Sequence, residues 1–308
     1  MNMSKIIPKI NDCVTPLEDA ILPNEMSKAT LSVPGLISKY SSDKVPILKK
    51  IPVLPYMLGC LYEIRKSYRI INNNPSNVKT EYNENIIKEL EVFAKKNGMS
   101  EIGYTKVTPE VVFKDKFVQY DSAIVLTMEM NPEIIKTAPS KKSMKEVFRT
   151  YYQLCRFANK ASQFLQKYGY GVHPGPALGG DTNYGLLARN AGLGEVGKHG
   201  LLITKIEGSS LRIGSVFTSM ELRYNTENKY AWIRNFCNSC NKCVKACPSG
   251  AIYKETETDE LGRKKHIDIA RCAVPFANEY GCTVCVKSCT FFSNDFDKIK
   301  KGYMKKHS

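Results

Sequence analysis

The chain has 308 residues, with 45 Lys and Arg against 30 Asp and Glu, for a net charge of +15. Hydrophobic residues make up 43% and charged residues 24%, a globular composition that excludes wholesale disorder and fibrous repeats. The longest apolar stretch, residues 51–62, contains two prolines and follows a lysine pair; a membrane helix needs roughly 20 apolar residues, so no membrane span is expected.

Residues 1–80 carry Pro8, Pro16, Pro23, Pro34, Pro46, Pro52, Pro55 and Pro75. Prolines at this density predict short broken pieces, an irregular region that wraps the core. The first 30 residues show no basic head with an apolar block and no twin-arginine pair. That predicts no export signal and a reducing, cytoplasmic setting. Ile86, Ile87, Leu90, Phe93 and Ala94 form an apolar face, and Asn97-Gly98 is a stop, so a helix is expected over 85–96. A short run at 102–107 follows, then a β-branched apolar run at 122–128, as in a strand buried on both faces. Met144, Val147, Phe148, Tyr151, Cys155, Ala158 and Leu165 recur at helical spacing and predict a long helix over 144–168. A glycine-rich segment holds a short helix at 184–190, and strands are expected at 201–204 and 213–217. The alternation predicts an α/β (α+β) core over 81–228, a cysteine module over 229–295 and a basic frayed tail over 296–308.

Eight of the 11 cysteines lie between Cys237 and Cys289. Cys237-x2-Cys240-x2-Cys243-x3-Cys247-Pro248 is the bacterial ferredoxin run, and Cys272, Cys282, Cys285 and Cys289 form a second half. Three closely spaced cysteines wrap one face of a cubane, and the fourth ligand comes from the other half. Two [4Fe-4S] clusters are therefore expected in a ferredoxin-like domain. Cluster one takes Cys237, Cys240, Cys243 and Cys289; cluster two takes Cys247, Cys272, Cys282 and Cys285. The step of ten positions from Cys272 to Cys282 departs from the simplest ferredoxin half. Structural zinc sites instead pair two Cys-x2-Cys units, and disulfides are disfavoured in a reducing setting. Cys155, on an apolar helix face, reads as core.

Residues 169–222 carry a resemblance. Gly169-Tyr170, Asp181, Ala191-Gly192-Leu193-Gly194-Glu195, Gly197-Lys198, Leu202-Ile203 and Leu211-Arg212, together with the cysteine block, resemble the corrinoid-dependent reductive dehalogenases. The same core resembles the epoxyqueuosine reductases. The resemblance implies a base-off cobalamin beside one cluster, with Gly192, Leu193, Gly194, Gly197 and Lys198 contacting it. It also implies reduction of a small molecule such as an organohalide by cobalt(I), with a tyrosine proton donor assisted by a basic residue. Tyr152 is the first candidate and Tyr151 the second. Arg212 and Lys198 are the candidate cations, and Asp181 is a weaker candidate acid of the epoxyqueuosine type. Gly192-x-Gly194-x-x-Gly197 also fits a dinucleotide fingerprint, but it lacks the preceding strand and following helix. The four histidines show no metal spacing.

The chain departs from both families. The respiratory dehalogenases are longer and carry a twin-arginine signal, and epoxyqueuosine reductases carry C-terminal helical repeats that grip tRNA; neither feature is expected from these residues. The lysines are dispersed, which favours a solvated basic surface over a nucleic-acid partner. It also suits an acidic electron donor such as a ferredoxin or flavodoxin. Two other readings stand beside the dehalogenase-like one: a tRNA-modification reductase, and a non-catalytic electron-transfer or corrinoid-reducing protein.

Overall fold

The computed structural model describes residues 8–30, 35, 39–40, 51–224 and 227–307. The core is a four-stranded sheet, β1 (Ile102–Lys106), β2 (Ser122–Glu129), β3 (Val172–Gly175) and β6 (Leu211–Thr218), in the order β1-β2-β6-β3. Every pairing is antiparallel, with Ile124 opposite Val216 and Met128 opposite Arg212. Helices α1 (Leu54–Asn72), α2 (Glu84–Lys96) and α4 (Lys141–Lys167) cover one face, and a short α3 (Pro132–Ile135) leads into α4. Helix α5 (Tyr184–Asn190) and the hairpin β4 (Gly194–Val196) and β5 (Leu202–Thr204) lie on the other side. Ile124, Leu126, Met128 and Val216 pack with Leu154, Ala158 and Leu165 of α4, while Ala123, Val125 and Phe217 pack with Leu187 and Ala188 of α5. The doubly buried strand read at 122–128 is thus observed. Its partners run antiparallel, with helices supplying both covers.

The prolines of the first 80 residues bracket a helix rather than break one. Pro55 sits in the first turn of the 19-residue α1, where its missing N–H has no intrahelical acceptor, and Pro75 lies beyond the end. Cys60, Ile64, Tyr68 and Ile71 make its buried face. Ile10 and Val14 close against Ile64, Tyr68 and Phe117. Most of residues 31–50 lies outside the described residues. Helix α4 starts three residues before its apolar period, because Ser140 and Ser143 form a reciprocal cap. Cys155 is core, as expected.

The cysteine module comprises α6 (Trp232–Cys240), α7 (Lys242–Ala246), the hairpin β7 (Ile252–Thr258) and β8 (Lys264–Ile267), α8 (Ile269–Asn278), α9 (Val284–Lys287), α10 (Thr290–Ser293) and α11 (Phe296–His307). The expected frayed tail is this last helix. Phe296, Ile299 and Tyr303 recur at helical spacing and pack with Trp232 and Phe236, the Trp232 ring lying 5.4 Å from Phe296 and 5.6 Å from Tyr303. The five lysines mask this stripe in a composition reading. Among the described residues, no helix is long and apolar enough to cross a membrane.

Glu101 and Glu207 form a carboxyl pair. Thr127 and Thr204 both donate to Glu207. Burial and then the Glu207 charge raise Glu101 to about 7. Because the folded-state value is raised above that of the unfolded chain, the stability Glu101 contributes is full below the ordinary carboxyl range and is lost as pH rises through about 7. Glu101→Gln should therefore gain stability relative to the wild type between pH 5.5 and 8, by about 1 kcal/mol after allowance for partial exposure. Urea denaturation at the two pH values measures this; a difference independent of pH would contradict the assignment.

Candidate functional site

The cysteine halves fold alike. Helix α6 ends at Cys240, and Asn241 turns the chain in the left-handed region (φ 54°) before α7. In the second half Cys282 (φ 56°) and Thr283 (φ 60°) do the same before α9. Asn tolerates that conformation readily; β-branched Thr does so at a cost. These turns bring the cysteines into two groups. Cys237, Cys240, Cys243 and Cys289 ring one small cavity, closed by Lys198, His199, Phe236 and Phe291. Cys272 and Cys285 lie within electrostatic reach of Cys282 and Cys247. Burial and then neighbouring thiols push Cys237 and Cys285 up to about 12 and Cys272 up to about 11. Cys247 goes the other way. Burial opposes its thiolate, but the amides of Ser249 and Ala251 donate to its sulfur and bring it below the usual thiol range. Every cysteine of both groups is free. Among the described residues no three His, Cys, Asp or Glu side chains converge as a single-ion site requires. The four cysteines of the first group stand round a space rather than a point, which suits a cubane with separated iron corners.

The β4–β5 hairpin ties this module to the core. The Lys198 side chain is buried, and its ammonium donates to the Asn238 carbonyl (3.2 Å), Asn241 Oδ1 (2.7 Å) and the Lys254 carbonyl (2.7 Å). Its backbone amide reaches Cys237. Buried Glu195 accepts from Arg234 (3.1 Å) and Asn228 (3.0 Å). Burial, then nearby His266, lowers His199 to about 4.

Two openings flank the ring of Cys237, Cys240, Cys243 and Cys289. On one side, a cleft of about 680 Å³ runs between α5, β4 and the β7–β8 hairpin. Lys28, Arg189, Arg234, Arg263 and Lys264 line it alongside Glu110, Glu195 and Glu255, and Lys198 is common to the cleft and the cysteine-ringed cavity. Burial and then adjacent Arg263 lower the Lys28 ammonium, while Asp259 opposes the effect; cations crowded in this way favour a bound anion. On the other side, a groove of about 740 Å³ between α6 and α11 carries Lys242, Lys298, Lys306 and His307, with Asp295 as its one acid. Phe236, Lys242 and Thr290 line both groove and cavity.

The structure separates the two tyrosines. Arg212 and Gly214 share the α4 face of β6, Gly214 packing on Leu154. The Arg212 guanidinium stands 5.0 Å from the Tyr151 ring centroid, and its Nε is buried without a partner among the described residues. Tyr152 turns toward α1: it packs on Tyr56 (6.3 Å), and a Cβ added to Gly59 would stand 2.6 Å from its ring. Neither tyrosine nor Arg212 lines the cleft, which opens beyond α5 on the other side of the sheet.

Asp181 is wholly buried, with Oδ2 3.0 Å from His173 Nε2 and Oδ1 3.5 Å from Lys116 Nζ. His173 Nδ1 accepts from the Gln119 amide, so Nε2–H donates to the carboxylate.

Of the five residues expected to touch a cofactor, only Lys198 lines the cleft. Gly192 (φ 71°) ends α5, and Leu193 is core. A Cβ on Gly194 would lie 2.1 Å from the Ile203 carbonyl, and one on Gly197 would lie 2.6 Å from Ile203 Cδ1. These glycines close the hairpin on itself; Val196, Gly200 and Gly185 face the cleft instead. Lys28, Arg189, Arg234 and Arg263 carry no motif, being dispersed along the chain, and only the fold gathers them.

Residues 236–293 match the 4Fe-4S dicluster domain family. The tetrachloroethene reductive dehalogenase of Desulfitobacterium hafniense is 35% identical over 212 residues, 63% of this chain and 37% of that protein. The enzyme of that name from Sulfurospirillum multivorans is 30% identical over 56% of this chain and 35% of its own length. The fold matches the catabolic reductive dehalogenase NpRdhA with a TM-score of 0.70 at 14% identity, over 96% of this chain and 46% of that one. The chain is related in sequence and in fold to the reductive dehalogenases. It spans little more than a third of the length of the curated relatives it matches. The epoxyqueuosine reductase of Listeria monocytogenes is 30% identical over 34% of the chain and 28% of that protein. An epoxyqueuosine reductase solved with an epoxyqueuosine-modified tRNA-Tyr stem loop matches with a TM-score of 0.51 at 17% identity, over 68% of this chain and 66% of that one. Both groups are oxidoreductases.

Lys198→Met should leave the Asn238, Asn241 and Lys254 acceptors unmet, costing about 2–3 kcal/mol. Denaturant unfolding checks this; a loss under about 0.5 kcal/mol would contradict the clamp.

Proposed function

We propose that the protein is a corrinoid-dependent, iron–sulfur reductase of the reductive dehalogenase type. The observation that carries this reading is the series of groove, cysteine-ringed cavity and cleft, each sharing wall residues with the next. Cys237, Cys240, Cys243 and Cys289 hold one cluster, and Cys247, Cys272, Cys282 and Cys285 the other. Bound clusters supply single-electron transfer at low potential. A base-off cobalamin in the cleft would supply a strongly reducing cobalt(I) centre able to attack a carbon–halogen bond. The cations of the cleft fit the phosphate of its nucleotide tail. The basic groove suits an acidic one-electron donor protein of the ferredoxin or flavodoxin kind.

Tyr151, rather than Tyr152, is the tyrosine with a cation beside it, the Arg212 guanidinium 5.0 Å from its ring centroid. The pair stands on the α4 face of β6, across the sheet from the cleft, so it is not the donor to substrate held at a corrinoid there. The buried ties of Asp181 to His173 and Lys116 support this reading over an epoxyqueuosine-type acid at that position. The third reading, a non-catalytic electron carrier, predicts clusters with no corrinoid bound.

Tyr151→Phe and Tyr152→Phe should therefore each keep reductive turnover of halogenated substrates within about threefold of wild type. A loss of about 10²-fold or more in Tyr151→Phe would place substrate on the α4 face of β6 and return the donor role to the Tyr151–Arg212 pair. Electron uptake from an acidic donor should slow steeply as ionic strength rises toward about 0.5 M, and slow further in Lys298→Glu/Lys306→Glu. Stopped-flow reduction measures this; a rate indifferent to salt would remove the groove from the account.

A further inference from the structure

The His199 ring forms part of the wall of the cavity ringed by Cys237, Cys240, Cys243 and Cys289, and the residue is 4% exposed. The Leu201 amide points at its Nδ1 from 3.1 Å. An amide N–H can only donate, so Nδ1 must present a lone pair. The hydrogen of the neutral ring then sits on Nε2. That Nε2–H is buried and meets no acceptor among the described residues. A buried donor without an acceptor is unfavourable unless the site contains one that the bare chain does not provide. The cavity is where the four thiolates would present a cluster, whose sulfurs are acceptors.

We infer that His199 Nε2–H donates a hydrogen bond to a sulfur of the cluster held by Cys237, Cys240, Cys243 and Cys289, and so raises that cluster's reduction potential. The inference rests on the proposed ligand set. Reduction adds negative charge to the cluster, and a fixed N–H donor stabilises the reduced form more than the oxidised one. His199 is a positioning and tuning residue, outside the ligand set and without contact to substrate. The competing acceptor is His266 Nδ1, which is also buried and unpaired and lies within electrostatic reach of His199. If His266 took the proton, the ring would bridge wall to cleft and leave the cluster untouched. The cavity wall assigns the bond to the cluster, because His199 lines that cavity and not the cleft.

The test uses the full chain reconstituted with iron and sulfide alone, without corrinoid. Wild type, His199→Leu, His199→Gln and His266→Leu are titrated redox-potentiometrically by EPR. In parallel, protein labelled with ¹⁵N-histidine is examined by pulsed EPR for nitrogen coupling to a reduced cluster. In His199→Leu, one of the two midpoint potentials should fall and the other stay fixed. In His199→Gln, whose amide can also donate, the fall should be smaller. The ¹⁵N coupling should be present in the wild type and in His266→Leu. Should His199→Leu fail to assemble its cluster, the wild-type coupling and the His199→Gln shift still decide. Unmoved potentials in both His199 variants, or a coupling that vanishes with His266→Leu, would overturn the inference. A wild-type chain holding fewer than about four irons would overturn the ligand assignment itself.

Discussion

Four thiols must meet round one space, and one of them comes from the far end of the module. Cys237, Cys240 and Cys243 are local, but Cys289 closes the ring only if α6 and α10 are held together. The aromatic block of Trp232, Phe236, Phe291, Phe296 and Tyr303 does this from beneath. The core holds the same ring from above. Lys198 and Glu195 reach into the module with charged side chains, and Ser209 donates to the Val286 carbonyl at 3.1 Å. At Gly208 (φ 59°) the core turn comes so close that a Cβ would lie 1.9 Å from the Phe291 carbonyl, so no other residue fits. The module and the core are therefore one mechanical unit around that ring, and a loosened hairpin would be felt at the cysteines.

Charge is distributed to match this arrangement. The net +15 is not spread evenly in space. One concentration sits in the cleft, where crowded cations favour an anion; another sits in the α6–α11 groove. A buried anionic cluster would be favoured between two positive fields. In the proposed reading the same fields would orient an acidic partner on the outer side and hold a phosphate on the inner one. Lys198 contributes to both roles, because its ammonium is fully engaged in the module while its stem borders the cleft.

Much of this was legible in the sequence wherever a local pattern was involved. The period of α4, the β-branched run of β2 and the spacing of the cysteines are signals confined to one segment. Cys237, Cys240, Cys243 and Cys289, one of the two groups the sequence suggests, line one cavity. Local patterns misled where a residue has two uses. Proline breaks helices but also opens them, so α1 was hidden among Pro52, Pro55 and Pro75. Lysine-rich composition concealed the aromatic stripe of α11. The glycines of 192–197 fit a cofactor approach and a self-packed hairpin equally well, and only the position of Ile203 distinguishes them. The separation of Tyr151 from Tyr152 needed the packing of α1, because adjacent helical residues point about 100° apart. The cations of the cleft, from Lys28 to Lys264, are brought together by tertiary structure alone.

The central claim is that a cluster ringed by Cys237, Cys240, Cys243 and Cys289 serves a corrinoid in the adjoining cleft. The most direct measurement is iron and cobalt content of the chain after anaerobic reconstitution with iron, sulfide and cobalamin and removal of unbound cofactor, with EPR of the same sample. The account predicts about eight irons and one cobalt per chain. It also predicts a base-off cobalt(II) signal that broadens when the neighbouring cluster is reduced. Eight irons with no retained cobalt would contradict it and leave a protein that carries electrons to a centre held elsewhere.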